Sequence, residues 1–434
     1  MKRILLLICS AISFAVNATE YKIHSAVELQ ALKLAPGDKV VLADGQWKDQ
    51  RLVFSGKGTE AAPIVLTTEK PGVTKLTGTS TLLVEGTWLV VDGLYFTDGH
   101  SEKEDVIVLS AKTSYSRVTN TAIVNYNAPD IKKDYKWLSL YGHHNRVDHC
   151  WLEGKSHQGT TLVVWLSDQP NYHRIDHNYF GQRPELGVNG GETIRIGTST
   201  WSMHDSYTIV ENNIFNRCDG EIEAISNKSC RNILRNNLFY ECSATLTLRH
   251  GNNNEAYGNI FIGNNKPNTG GIRIIGENQQ VHDNFFQELT GTGLSAAISI
   301  MDGLPNPILT SHWQVKNAVI SKNTIVHCKE SLSIGAGKNA DRYLPALNTV
   351  FNNNTIITDR QPVNWVDESV VMQFSGNIAD VPAGTKLPEG FAVKATGTAK
   401  DKDGIWQVPG VKPDLFWKNT KVGPAWTSPV LGAR

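Results

Sequence analysis

Residues 219–230 read DGEIEAISNKSC, the most unusual stretch in the chain. In a strand, side chains alternate between two faces, so Ile222 and Ala224 turned inward would leave Glu221 and Glu223 side by side outside. Two adjacent carboxylates repel and gain nothing by themselves, whereas a hard cation such as Ca²⁺ takes oxygen ligands of this kind. Strict alternation would next bury Lys228, at high cost, so a break near Ser226 and Asn227 is expected to return its ammonium to the surface. Three further segments present arginines in the same way. In TLTLRHG, inward Leu246 and Leu248 leave Thr245, Thr247 and Arg249 outside; in GGIRIIG and GETIRIG the outward residues are Arg273 and Arg195.

One chemistry accommodates these residues together. A cation neutralises the carboxylate of a uronate unit, which acidifies the adjacent C5 proton, and a nearby base removes it. Lysine suits that base where neighbouring cationic charge lowers its pKa toward neutral. A solvated charged face accounts equally well for the Glu pair alone, and a lone outward arginine is ordinarily surface. Arg249 and Arg273 are 24 residues apart, and stacked like charges need an anion between them. Four such residues gathered on one face fit an anion-handling site better than plain surface.

These placements require elements that stack at a fixed interval, and the sequence contains them. A phrase with an aliphatic start, polar residues, a pivot and an apolar end returns as VDGLYF, VTNTAI, VDHCWL, IDHNYF, VENNIF, LRNNLF, AYGNIF, VHDNFF, ISKNTI and FNNNTI. Its pivots are Leu94, Thr121, Cys150, Asn178, Asn213, Asn237, Asn259, Asn284, Asn323 and Asn354, at steps of 27, 29, 28, 35, 24, 22, 25, 39 and 31 residues. The shortest steps define one turn of a solenoid and the longer ones carry loops. β-Branched and aromatic residues flanked by Asn, Asp and Gly are strand and turn chemistry. Units that cannot bury their own apolar face must stack in parallel, which predicts an all-β, single-domain right-handed parallel β-helix. The recurring Asn is read as a turn residue tolerating left-handed geometry and bonding to neighbouring coils. On this reading Lys228 and Arg249, 21 residues apart, are neighbours one coil apart.

The ends behave differently. Lys2 and Arg3 before the apolar run Ile4 to Val16 read as a signal peptide over residues 1–18, cleaved after Ala18, which implies export to the periplasm or medium. The run is too short to span a membrane. Residues 24–35 predict a short helix capping the first coil, and from about 375 to 434 the text becomes a Gly- and Pro-rich cap and tail. The 42 basic residues equal the 42 acidic ones, which disfavours nucleic acid as a partner. Beyond the leader five cysteines remain, an odd number that reads as free core thiols, with an isolated bridge left open.

From WLSLYGHHNRVDHCWLEG through NGGETIRIG, EIEAISNKS, LTLRHGN and GGIRIIG, the sequence resembles the polysaccharide lyase family containing chondroitinase B and many alginate lyases. The resemblance implies a parallel β-helix lyase with Lys228 as Brønsted base and Arg249 assisting as acid. It further implies a Ca²⁺ site of Asn189, Glu221 and Glu223, with Arg273 and His250 among the substrate contacts and Arg195 a further candidate. The expected partner is an anionic polysaccharide, alginate first and dermatan or chondroitin sulfate second. A pectinase-like hydrolase would need carboxylic acids at hydrolytic spacing and no lysine base. A non-catalytic glycan-binding solenoid would not require Lys228 beside Arg249.

Overall fold

The computed structural model describes residues 18–429 and 431, so the leader reading lies outside the described residues except at Ala18. Among the described residues, three long parallel sheets of 14, 12 and 14 strands dominate. Each middle coil contributes one strand to each, as Arg174–Asp176, Tyr179–Phe180 and Ile194–Ile196 do. The chain is an all-β parallel β-helix. No helix is long and apolar enough to cross a membrane.

The repeating phrase is the corner between the first two of these strands. Its left-handed residue is the one before the pivot, contrary to the sequence reading: His177, Asn212, Asn236 and Asn353 have φ of 55°, 54°, 53° and 53°. One left-handed residue bends the chain sharply and turns the following side chain inward. The pivot Asn therefore lies in the interior, where it must satisfy its own amide. Asn237 does so by donating its N–H and Nδ2 to Asn259 Oδ1 at 3.1 and 3.0 Å, and Nδ2 also to the Val210 carbonyl at 2.9 Å. The pattern runs from Asn178 through Asn354 and ends at Asn377, one coil beyond the last phrase recognised in the sequence. Beside it, Phe180, Phe215, Phe239, Phe261 and Phe286 stack with ring centroids 4.5–4.9 Å apart, the spacing of the coils.

The N-terminal helix is Ala26–Ala31, shorter than expected, and it buries Ala26 and Leu29 on the core. Ser25 accepts from the Glu28 N–H, and Glu28 accepts from the His24 N–H, a reciprocal cap that fixes its start. At the other end, Phe391–Val393 adds a final strand, after which the chain turns back along the second sheet. Ile405, Val408 and Phe416 pack on Tyr179, Leu238, Ile260 and Phe285, and the Trp426 indole donates to the Asn120 carbonyl at 2.7 Å. The tail is thus a strap over the apolar outer face of that sheet. Cys150, Cys218, Cys230, Cys242 and Cys328 are all buried and free.

A second interior row holds His173, whose Nδ1 accepts the Asn145 N–H at 3.1 Å. Full burial, with His143 and His144 nearby, pushes its pKa down to about 3. The unfolded chain therefore takes up a proton near pH 6.5 that the fold refuses, and stability falls as pH drops from there toward 3. The slope from this group is about 1.4 kcal/mol per pH unit. His173→Asn, which keeps an acceptor for Asn145, should remove about one proton from the uptake on unfolding, measured by urea titrations between neutral and mildly acidic pH. Asn237→Leu leaves several buried amides unpaired and should cost roughly 3–5 kcal/mol in the same assay.

Candidate active site

The outer face of the 12-stranded sheet carries the residues singled out from sequence. Leu246, Leu248, Ile272, Ile274, Ile194 and Ile196 all lie in the core, so Arg249, Arg273 and Arg195 point outward as alternation requires. The strand Glu223–Lys228 departs from simple alternation. Ile222 is 43% exposed instead of inward, while Ala224 and Ile225 are both in the core. Glu223 pairs with Thr245 and Ile225 with Leu246, so Ala224 is an extra residue that shifts the parity. The break thus comes before Ser226, earlier than expected. It places Asn227 inside, where Nδ2 donates to the Ser229 carbonyl and Oδ1 accepts from Asn232, and it leaves Lys228 outside. A second shift skips Arg249, putting Lys228 level with His250 and Arg249 beside them.

Asn189, Glu221, Glu223, Lys228, Arg249 and Arg273 meet around one cleft of ≈ 560 Å³. The two arginines do not form a direct ladder: Arg273 is in register with Thr247. Instead both reach Glu223 Oε1, Arg249 Nε at 3.6 Å and Arg273 Nη1 at 3.4 Å, so a carboxylate separates the like charges. Burial lowers the pKa of both guanidinium groups, opposed by Glu223. Arg249 Nη1 and Arg273 Nη2 are buried without hydrogen-bond partners among the described residues. Each is a donor suited to an anion.

Glu221 has a different setting. Its Oε2 accepts the Gly190 and Gly191 N–H groups at 2.9 and 3.1 Å. Burial, Glu192 and Glu223 nonetheless raise its pKa to about 7. Crowded carboxylates that resist ionisation, beside the Asn189 side chain, form the oxygen donor set that a hard cation neutralises. Among the described residues no three His, Cys, Asp or Glu side chains gather as a metal-holding group, so two carboxylates and an amide are the protein's own share.

Two candidates sit outside the cleft lining. Arg195 shares a row with Ser226, but its guanidinium lies 5.4 Å from the Trp165 ring centroid, stacked away from the other cations. His250 is 1% exposed, with neither ring nitrogen in a well-formed hydrogen bond. Burial, then Arg249 and Lys228, push its pKa down to about 3, so the ring is neutral. Direct access to His250 requires movement of what covers it.

Sequence reasoning missed two residues. Glu192 Oε1 stands 3.6 Å from Lys228 Nζ, a carboxylate where a purely cationic neighbourhood was expected. It lies inside GETIRIG, yet its strand begins only at Ile194, so alternation gives it no face. His312 lines the cleft from the insert that makes the 39-residue step, and burial beside Arg249 and Arg342 holds its pKa near 3. Non-repeating loops carry no periodic signal that would have placed it.

The chondroitinase B family model matches residues 22–406. No curated protein matches the sequence. Among solved structures, the PL6 family alginate lyase AlyGC is 38% identical with a TM-score of 0.89; the match covers 95% of this chain, which spans 59% of that lyase. A mannuronic acid specific polysaccharide family 6 lyase from human gut microbiota is 32% identical over 94% of this chain and 97% of its own, with a TM-score of 0.82. The polysaccharide lyase Pedsa3628 from Pseudopedobacter saltans is 27% identical over 94% of this chain and all of its own, at 0.77. With the family model spanning most of the fold and these identities across nearly its full length, the chain belongs to the PL6, chondroitinase B-like family of polysaccharide lyases.

Proposed function

We propose that the protein cleaves an anionic, uronate-containing polysaccharide, most specifically alginate, by Ca²⁺-assisted β-elimination. The observation that carries this reading is the meeting of Lys228, two arginines with unpartnered donors, and the Asn189–Glu221–Glu223 oxygen set around one cleft. Similarity to the alginate lyase AlyGC and to the mannuronic acid specific lyase supports the choice of alginate.

Asn189, Glu221 and Glu223 would hold the Ca²⁺, which supplies charge neutralisation to the uronate carboxylate. Arg273 and Arg249 offer that carboxylate their free N–H donors, and the developing negative charge in the transition state strengthens those contacts. Lys228 Nζ takes the C5 proton. The C5–H electron pair becomes the C4–C5 double bond, the C4–O bond breaks, and the leaving oxygen is protonated with Arg249 as the adjacent donor. Glu192, 3.6 Å from Lys228 Nζ, orients the ammonium group, as the third member of a base-orienting set does.

Ultraviolet absorbance of the unsaturated product tests the reaction. Signal should rise with alginate, and a rise with dermatan or chondroitin sulfate alone would reassign the substrate; chelation should abolish it and added Ca²⁺ restore it. Lys228→Ala should lower kcat by about 10³-fold or more with the fold intact, since its side chain lies outside the core. Retained turnover in that variant would remove it as the base. Glu192→Gln should lower kcat by about 10-fold or more with little change in KM.

A further inference from the structure

Behind the cleft, and outside its lining, lies a charged residue that the mechanism does not use. Arg183 is 3% exposed and pairs with no carboxylate among the described residues. Its guanidinium is instead spent on backbone and hydroxyl oxygens. Nη1 donates to the Glu192 carbonyl at 2.6 Å and to Thr161 Oγ1 at 2.9 Å, and Nη2 to the Gly159 and Gly190 carbonyls at 2.9 and 3.1 Å. Its own backbone bonds to the next coil, accepting from the Asp219 N–H and donating to the Arg217 carbonyl.

These contacts span three coils and end on the donor set. The turn that carries Asn189 and Glu192 is gripped at two of its carbonyls. The same turn presents the Gly190 and Gly191 N–H groups to Glu221. Gly190 is thus bonded on both sides, its carbonyl to Arg183 and its N–H to Glu221. The packing leaves no slack: a Cβ on Gly220 would lie 2.2 Å from the Gly191 carbonyl oxygen and 2.6 Å from Arg183 Nε. Burial lowers the Arg183 pKa only to about 10, so the cation persists at neutral pH.

We propose that Arg183 is a positioning residue that sets the cation affinity of the site, by fixing the 189–192 turn and, through Gly190 and Gly191, the Glu221 carboxylate. The proposal rests on the reading of Asn189, Glu221 and Glu223 as the cation-binding set. Outer partners that orient metal ligands ordinarily change affinity by about 10–100-fold when removed.

The test is Tb³⁺ luminescence and Ca²⁺ calorimetry on the full mature chain, comparing wild type with Arg183→Lys, Arg183→Met and each combined with Glu221→Gln. Arg183→Met should weaken cation binding by about 10-fold or more, with cooperative unfolding and the far-ultraviolet circular dichroism spectrum retained. Arg183→Lys, which keeps the charge but has three donors, should recover part of the loss. In the Glu221→Gln background the effect of Arg183→Met should shrink, because the route through Gly190 and Gly191 is already cut. Folded variants that bind with wild-type affinity would overturn the proposal, as would a loss of equal size with and without Glu221. Failure of both Arg183 variants to unfold cooperatively would overturn it too, making the residue a folding determinant. Absence of binding by the wild type would instead defeat the reading of the cation site.

Discussion

A coil of this protein buries polar backbone on its inner and lateral sides, and only the coils above and below can satisfy those groups. Parallel register is therefore the constraint on which the structure depends. The Asn178-to-Asn377 row shows its strength, since each side chain closes a bond to the next coil and another to the preceding one. A slip of one residue would unpair these amides and turn every core side chain outward. Because the register is fixed, residues 21 to 24 apart in sequence become neighbours, and the cleft is assembled from single residues on successive strands.

The same rigidity lets the site hold charges that would otherwise move apart. Glu192, Glu221 and Glu223 crowd one another while Arg249 and Arg273 converge on Glu223. In water these groups would rotate away, and in a loop they would displace the backbone. Here the strands bearing them are locked on both sides. The irregularities lie where the chemistry needs them: the extra residue Ala224 returns Lys228 to the surface, and the skipped Arg249 brings its guanidinium toward Glu223.

The architecture was legible in the sequence because its cause is periodic. Leu246, Leu248, Ile272 and Ile274 follow strict alternation, and their outward neighbours were placed correctly from parity alone. What periodicity does not encode was misplaced. Ile222 is exposed because the strand starts after it, and the left-handed residue precedes the pivot because the bend, and not the ladder, demands it. Arg249 and Arg273 offset their register by two positions through a bulge that no spacing reveals. Glu192 and His312 belong to a turn and an insertion, where position depends on tertiary contacts.

Polar satisfaction divides the molecule in a way that bears on function. Along the Asn row, buried amides are matched coil by coil. Around the cleft the opposite holds: Arg249 Nη1, Arg273 Nη2, Arg195 Nε and both nitrogens of His250 are buried without partners. An unpaired buried donor costs about 1–3 kcal/mol, a cost a solenoid can bear because every coil adds cooperative stability to its neighbours. Those donors gain most from a ligand rich in carboxylate and hydroxyl oxygens, since binding replaces no existing protein contact. An extended acidic polysaccharide is such a ligand, and the unsatisfied groups lie beside the lysine that would act on it.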